Sequence, residues 1–184
     1  MNRRPTESSS AASLHLASTA DDYAAFAVLI RQYLTWARQR YRAHEWFVTK
    51  VFGHQSLDAE LGLLSVKYGP PHGKTLLATL NGAIVGGCAY QILPDGSCEM
   101  KRLFVSDSAK GHGVGRQLCE AIIELAKDDG FTLMRLDTGN LLTEAIAMYQ
   151  SLGFRDCAPH LEYPADLMPF LVFMELPINS KESA

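Results

Sequence analysis

Lys110-Gly111-His112-Gly113-Val114-Gly115-Arg116 sets three alternating glycines between two cations, a pattern suited to holding an anion. Glycine lets a backbone approach phosphate oxygens with no Cβ in the way. If a helix starts where the glycines end, its first N–H groups and the positive end of its dipole point at the same place. The two flanking cations suit a diphosphate. An NTP-hydrolysing phosphate loop requires G-x-x-x-x-G-K-[ST], whereas Lys110 precedes the glycines. A dinucleotide fingerprint requires a third glycine where Arg116 stands, and an early parallel unit. By itself the cluster is equally a tight strand-to-helix turn.

The elements around it decide what it can serve. Leu14 to Ala17 alternates weakly as a first strand, and Thr19 with Asp21 and Asp22 starts a helix. Tyr23, Phe26, Ala27, Ile30, Tyr33, Leu34, Ala37 and Tyr41 follow at helical spacing on one face. A second helix is expected from a Ser56 cap, with Leu57, Leu61 and Leu64 inward and a stop at Gly69-Pro70-Pro71. Thr75 to Leu80 and Ala83 to Ile92 read as a hairpin through Asn81-Gly82. After a turn at Pro94-Asp95-Gly96, Cys98 to Val105 is the third strand of the meander. The glycines lead into a helix bearing Val114, Leu118, Ala121, Ile122 and Leu125, ended by Gly130, and Phe131 to Leu136 is a strand. Strand, glycine loop, helix and strand make a right-handed crossover, so the flanking strands are parallel neighbours. A short helix carrying Ala145, Met148, Tyr149 and Leu152 ends at Gly153. Phe154 to Cys157 and Phe170 to Leu176 close the sheet. The predicted architecture is α+β: a mixed, mostly antiparallel sheet with helices on both faces, one domain over residues 14–178, a disordered tail over 1–13 and a short tail over 179–184.

Composition narrows the function. With 184 residues and 47% apolar content, a single chain can bury about 70% of its unfolded surface without staples. Seventeen Lys and Arg against 20 Asp and Glu, a formal charge of −3, give no basic field for a nucleic-acid backbone. Four cysteines without a C-x-x-C pair argue against a disulfide framework or zinc site and for a reduced, cytoplasmic protein. The apolar stretches are too short or too glycine-broken to span a bilayer. The serine-rich start lacks a secretory apolar core and includes Glu7; a mitochondrial presequence is the alternative to a disordered tail.

Glu99-Met100-Lys101-Arg102-Leu103-Phe104-Val105, the loop Lys110 to Gly115, and Met148-Tyr149-Gln150-Ser151-Leu152-Gly153-Phe154 together resemble the GNAT superfamily of acyl-CoA-dependent N-acyltransferases. The loop is similar to that family's pyrophosphate signature, [RQ]-x-x-G-x-[GA], with Lys110 in first position; Tyr-x-x-x-Gly-Phe is similar to its second block. The resemblance covers about residues 14–176 and implies acetyl-CoA as co-substrate, with no metal. It implies that Lys110, Gly111, His112, Gly113, Val114, Gly115 and Arg116 hold the diphosphate. The backbone of Leu103, Phe104 and Val105 would hold the pantetheine arm and the thioester oxygen as an added strand. Leu142, seven before the tyrosine, stands where many members carry Asn, leaving Asn140 as the candidate replacement.

Acyl transfer to an amine needs a neutral amine, a stabilised oxyanion and a proton for the departing thiolate. The resemblance gives Glu99 the general-base role; the plain alternative is an ion pair with Lys101 or Arg102. Tyr149 is the general acid, its ordinary pKa near 10 matching a thiol leaving group; the plain alternative is core packing. His160 is the reserve base, and the six histidines show no metal-ligand spacing. Cys98 and Cys119 lack a sequence-adjacent His to activate them, which favours direct transfer over an acyl-enzyme. The first two helices (residues 19 to 68) and the loop from Ala158 to Pro169 are expected to wall the acceptor pocket, with Tyr33, Trp36, Tyr41, Trp46, Phe47 and Tyr163 beside Asp58, Glu60 and Glu162. A small amine, an aminoacyl group or a peptide amine fits; so does a homodimer. The rival readings are a non-catalytic acyl-CoA-binding module and a generic nucleotide-phosphate binder.

Overall fold

The computed structural model describes residues 11–54 and 57–178. Seven strands form one sheet in the order β1-β2-β3-β4-β5-β7-β6: β1 Ser13–Leu16, β2 Gly73–Leu80, β3 Ala83–Ile92, β4 Cys98–Val105, β5 Leu133–Gly139, β6 Arg155–Asp156 and β7 Leu171–Pro177. The helices are α1 Ala20–Arg40, α2 Glu45–His54, α3 Leu57–Leu61, α4 Leu64–Tyr68, α5 Val114–Asp128 and α6 Thr143–Ser151. The predicted α+β sheet is present, with β4 and β5 its parallel pair and the other pairings antiparallel. Among the described residues no helix is long and apolar enough to cross a membrane.

Strand alternation divides the core in two. Leu76, Ala78 and Leu80 of β2, with Cys98 and Met100 of β4, face α5 and its Leu118, Cys119 and Ile122. Leu77 and Ala89 turn to the other side, against Phe26 and Ile30 of α1, the α2 residues Phe47, Val48, Val51 and Phe52, and Tyr68 of α4. α1 begins at a capping box: Thr19 Oγ1 accepts from the Asp22 N–H at 3.1 Å, and Asp22 Oδ2 accepts from the Thr19 N–H at 2.9 Å.

Three expectations need correction. The single second helix is two short ones, α3 and α4, broken at Gly62 and Leu63; Gly62 is a weak helix former, and the break lets Glu60 and Tyr68 meet at 2.9 Å. Its Ser56 cap lies outside the described residues. α2 is an element that the sequence reading lacks, although Phe47, Val48, Val51 and Phe52 carry helical periodicity. Residues 12 and 13 of the expected 1–13 tail belong to the fold, because Ser13 is in β1 and Ala12 packs on the core. Residues 1–10 and 179–184 of the two expected tails lie outside the described residues.

Candidate active site

β4 has two unlike ends. At its start it pairs with β5 through Cys98–Met134 and Glu99–Arg135. Beyond that pairing the strands part, while β3 stays bonded to β4 as far as Gly86–Val105. The backbone of Leu103 to Val105 therefore keeps an edge that β5 does not pair, and a cavity of about 500 Å³ opens between the strands. Arg102 marks the change of course, with φ of +58°, a conformation that strains a side chain-bearing residue. Glu60 clamps it there, Arg102 Nε lying 2.7 Å from Oε1 and Nη2 2.9 Å from Oε2. Burial opposes ionisation of Glu60, but the fork of Arg102 and the ammonium of Lys67 outweigh it and hold its carboxyl at about 2.

The glycine loop lies at the open end. Gly111 and Gly113 have φ of +79° and +70°, so both use a left-handed conformation that glycine adopts without strain. Gly113 is the N-cap of α5, and the first intrahelical acceptance comes from the N–H of Gln117 at 3.1 Å. The N–H groups of Val114, Gly115 and Arg116 belong to the first turn, which has no preceding carbonyls to bond. Lys110 pairs with Asp107 at 2.8 Å, Arg116 with Glu120 at 3.2 Å, and His112 Nδ1 lies 3.0 Å from the Lys110 carbonyl. Leu103, Phe104, Val105, Lys110, Gly115, Met148 and Tyr149 all line the cavity. Tyr149 is buried against Phe154 at 5.8 Å between ring centroids. Burial, followed by the nearby Cys119 and Cys88, pushes its hydroxyl well above the ordinary tyrosine range, so it stays protonated.

At the closed end Glu99 is fully buried and does not line the cavity. It accepts from Gln91 Nε2 at 2.8 Å, lies 2.9 Å from His160 Nε2 and pairs with Lys101 Nζ at 3.0 Å. Lys101 also pairs with Asp137 of β5, whose other oxygen accepts from the Tyr163 hydroxyl at 3.2 Å. Glu99, Asp137 and His160 offer ligand atoms within 4.8 Å of one another, but the ammonium of Lys101 already serves the two carboxylates. Burial opposes the charge of Asp137; the ammonium of Lys101 overcomes that and holds the carboxyl below its ordinary range. His160 Nδ1 is buried without a partner among the described residues.

The sequence-predicted residues thus divide. Tyr149, the Leu103–Val105 edge and, from the glycine loop, Lys110 and Gly115 line one cavity, whereas Gly111, His112, Gly113, Val114 and Arg116 do not line it. Glu99 sits behind that cavity. Asn140 is occupied elsewhere: its Nδ2 donates to the Pro169 carbonyl at 3.0 Å and its Oδ1 faces the Tyr41 hydroxyl at 3.5 Å, so it braces the loop before α6, while Leu142 lines the cavity. Sequence reasoning missed Lys101 and Asp137 as a pair. The one available signal was an acid directly after the largely apolar run Leu133 to Leu136. A smaller cavity of about 210 Å³ lies beyond Lys101 and Arg102, lined also by Glu60, Lys67, Gln91 and Leu161 to Tyr163.

The model of the acetyltransferase (GNAT) family matches residues 40–154. An uncharacterized N-acetyltransferase of Schizosaccharomyces pombe is 35% identical over 127 residues, 68% of this chain and 76% of its own. An IAA acetyltransferase of Azospirillum brasilense is 37% identical, over 59% of this chain and 70% of its own. Among solved structures, yncA of Salmonella typhimurium, determined with its cofactor acetyl-CoA, has a TM-score of 0.65 at 18% identity, covering 95% of this chain and 98% of that one. That likeness is one of fold; the family model and the yeast relative carry the assignment, by which this chain belongs to the GNAT acetyltransferase family and is an acyltransferase.

Proposed function

We propose that the protein transfers an acetyl group from acetyl-CoA to a primary amine, by direct attack in a ternary complex. The observation that carries this reading is the unpaired β4 edge at Leu103–Val105, opening on one cavity with the α5 N-terminus and Tyr149. An extended pantetheine arm can bond that edge as an added strand. The N–H groups of the first turn of α5 would take the diphosphate, with Lys110, His112 and Arg116 beside it. Near Val105 a backbone N–H would meet the thioester oxygen, where charge develops on attack.

In this reading Tyr149, kept protonated by burial, gives its proton to the departing sulfur. Glu99 is the proton acceptor, reached through the groups between it and the cavity. Two protons leave the nitrogen. One passes towards Glu99 and out; the second replaces the one that Tyr149 gives up, so the C–N bond forms and the C–S bond breaks with no net change in the enzyme. The buried thiols support direct transfer: burial pushes Cys98 and Cys119 up to about 12, and a protonated thiol is a poor nucleophile.

Acetyl-CoA at a hundred times its Kd should stabilise the fold by about 2.7 kcal/mol, and an amine should accelerate release of CoA thiol. Equal stabilisation by ATP and by CoA would favour a generic phosphate binder and sink the proposal.

A further inference from the structure

Glu99 is the proton acceptor of the proposed transfer, and a role for the groups that hold it rests on that reading. Its side chain is wholly buried, and three donors converge on its carboxylate. Gln91 Nε2 of β3 reaches Oε2 at 2.8 Å; Lys101 Nζ of β4 and His160 Nε2 both reach Oε1, at 3.0 and 2.9 Å. Gln91 and Lys101 stand on neighbouring strands. His160 alone comes from outside them, on the loop between β6 and β7. That loop is fastened on either side of the ring: the Cys157 N–H donates to the Phe173 carbonyl at 2.9 Å, and the Tyr163 hydroxyl reaches Asp137 at 3.2 Å.

The two nitrogens of His160 are placed unequally. A carboxylate only accepts hydrogen bonds, so an ionised Glu99 fixes the ring proton on Nε2. Nδ1 is buried without a partner among the described residues, and the ring stands edge-on to Phe173 at 5.6 Å between centroids. A lone proton on Nδ1 would leave a buried donor unpaired and turn a bare nitrogen towards the Glu99 oxygen, both costly. The side chain is 3% exposed and lines neither cavity. A base needs a nitrogen at the reacting atoms; this ring is turned to Glu99 instead.

We propose that His160 is a positioning residue of the transfer, which through its Nε2–H alone keeps the Glu99 carboxylate ionised and turned towards Lys101 and Asp137. Both of those residues line the larger cavity, so they are the groups through which a proton from the amine reaches Glu99. A hydrogen bond to the charged form of an acid favours that form. His160 gives up no proton itself: the one that leaves the amine is bound by Glu99 and lost from there, while the Nε2–H bond stays whole. The titratable groups that face Glu99 are Cys98 and Lys101 on β4, Asp137 on β5 with Tyr163 bonded behind it, and His160 on the loop. Gln91 on β3 is neutral. Lys101 is shared with Asp137, so it does not make good the loss of His160.

One arm of the test needs no turnover. With the full chain isotopically labelled at its histidine nitrogens, two-bond proton–nitrogen spectra at about pH 8 should place the His160 proton on Nε2 and none on Nδ1. The His160 signals are those missing from His160→Gln. A proton on Nδ1 overturns the inference.

The second arm follows thiol release from acetyl-CoA against pH, with whichever of methylamine, 2-phenylethylamine, spermidine and an alanyl peptide the wild type uses fastest. His160→Phe keeps a ring on Phe173 but has no donor. Its acid limb in kcat/KM should move up by about one to two pH units, because Glu99 then binds a proton more readily. At neutral pH kcat should fall about tenfold, with calorimetric affinity for acetyl-CoA unchanged. His160→Asn sets its amide nitrogen at the δ position, short of Glu99, and should behave like His160→Phe. His160→Gln sets it at the ε position and should return the limb to within about half a unit of wild type. Rescue by Gln and not by Asn is a split that a ring serving only as filler does not produce. Gln as impaired as Phe, or a limb that stays in place in His160→Phe, overturns the inference. If His160→Phe does not fold, the comparison of Gln with Asn and the spectra decide in its place. Wild-type protein that binds no acetyl-CoA, or transfers to none of these amines, is a separate failure of the acetyl-CoA reading, and the spectra still show which nitrogen holds the proton.

Discussion

The start of β4 and its end solve different problems with one strand. At Cys98 and Glu99 the strand is paired with β5, and as far as Lys101 it is fixed by side-chain charges: Glu99, Lys101, Asp137 and His160 hold one another across two strands and a loop. From Leu103 to Val105 it is open on the β5 side and offers backbone beside a helix N-terminus. Arg102, held at positive φ by Glu60, stands between them. The closed end depends on which side chains are present; the open end depends on where the backbone runs. Substitutions at the two ends should therefore fail in different ways.

The largest effect is expected at the closed end. Glu99→Gln keeps the shape and the hydrogen bond from Gln91 but removes proton acceptance, so kcat should fall by about 10² or more with KM for acetyl-CoA little changed. A loss confined to KM for acetyl-CoA would erase the distinction between the two ends.

Tyr149→Phe should come next. The ring packs against Phe154 as before, and a thiolate that leaves without a proton donor should slow kcat by about 10- to 100-fold. An acyl donor with a more acidic thiol needs less help, so the deficit should shrink with it. A residue that only fills core would change the melting temperature instead and show no dependence on the leaving group.

Gly113→Asp probes the open end. No heavy atom lies within 4 Å of a Cβ built there, so the substitution is not blocked by a clash. Its cost comes from φ of +70° and from a negative charge where phosphates would lie. Affinity for CoA should fall about tenfold or more, whereas kcat at saturating acetyl-CoA should hold. Unchanged CoA affinity would take the diphosphate off this loop.

Legibility in the sequence divides along the same line. The open end was legible: glycine spacing, the helix after it and Tyr-x-x-x-Gly-Phe are local patterns, and local patterns specify backbone. β3 and β4 were delimited to the residue, because Asn81-Gly82 and Pro94-Asp95-Gly96 punctuate them. The closed end was not. Glu99 was readable with Lys101 or Arg102 as its plain alternative partner, but Asp137 and His160 come to it from 38 and 61 positions away and Tyr163 reaches Asp137 from 26, and no spacing rule links an acid in one strand to a histidine in a distant loop. The clamp from Glu60 to Arg102 escaped for the same reason. Nothing in the sequence shows that the Asn140 amide holds the Pro169 carbonyl, because tertiary structure supplies that partner.

The Glu60–Arg102 clamp makes a stability prediction. Its folded carboxyl lies at about 2, below the ordinary 4.5, so the unfolded chain binds the extra proton first. The stabilisation is complete above about 4.5 and is lost as pH falls through the folded value, with about 2–3 kcal/mol at stake. Glu60→Gln should unfold at lower denaturant concentration at pH 7 and flatten the acid side of the stability curve between those limits. An unchanged curve would mean that Arg102 keeps its positive φ without help.

The smallest effect is expected at the thiols, which lie beneath both ends of the strand. Cys98 and Cys119 are fully buried, and each is pushed by burial up to about 12, so thiolate is scarce at neutral pH and neither sulfur reaches the cavity wall. Removing either as Ala deletes one sulfur from a packed core and should cost about 1 kcal/mol of stability. Turnover should stay within about twofold of wild type, and mass spectrometry of the protein quenched during turnover should find no acyl adduct. A kinetically competent acyl-cysteine would show that the acyl group rests on the protein, and the open edge of β4 would then be a path to a nucleophile instead of the seat of a ternary complex.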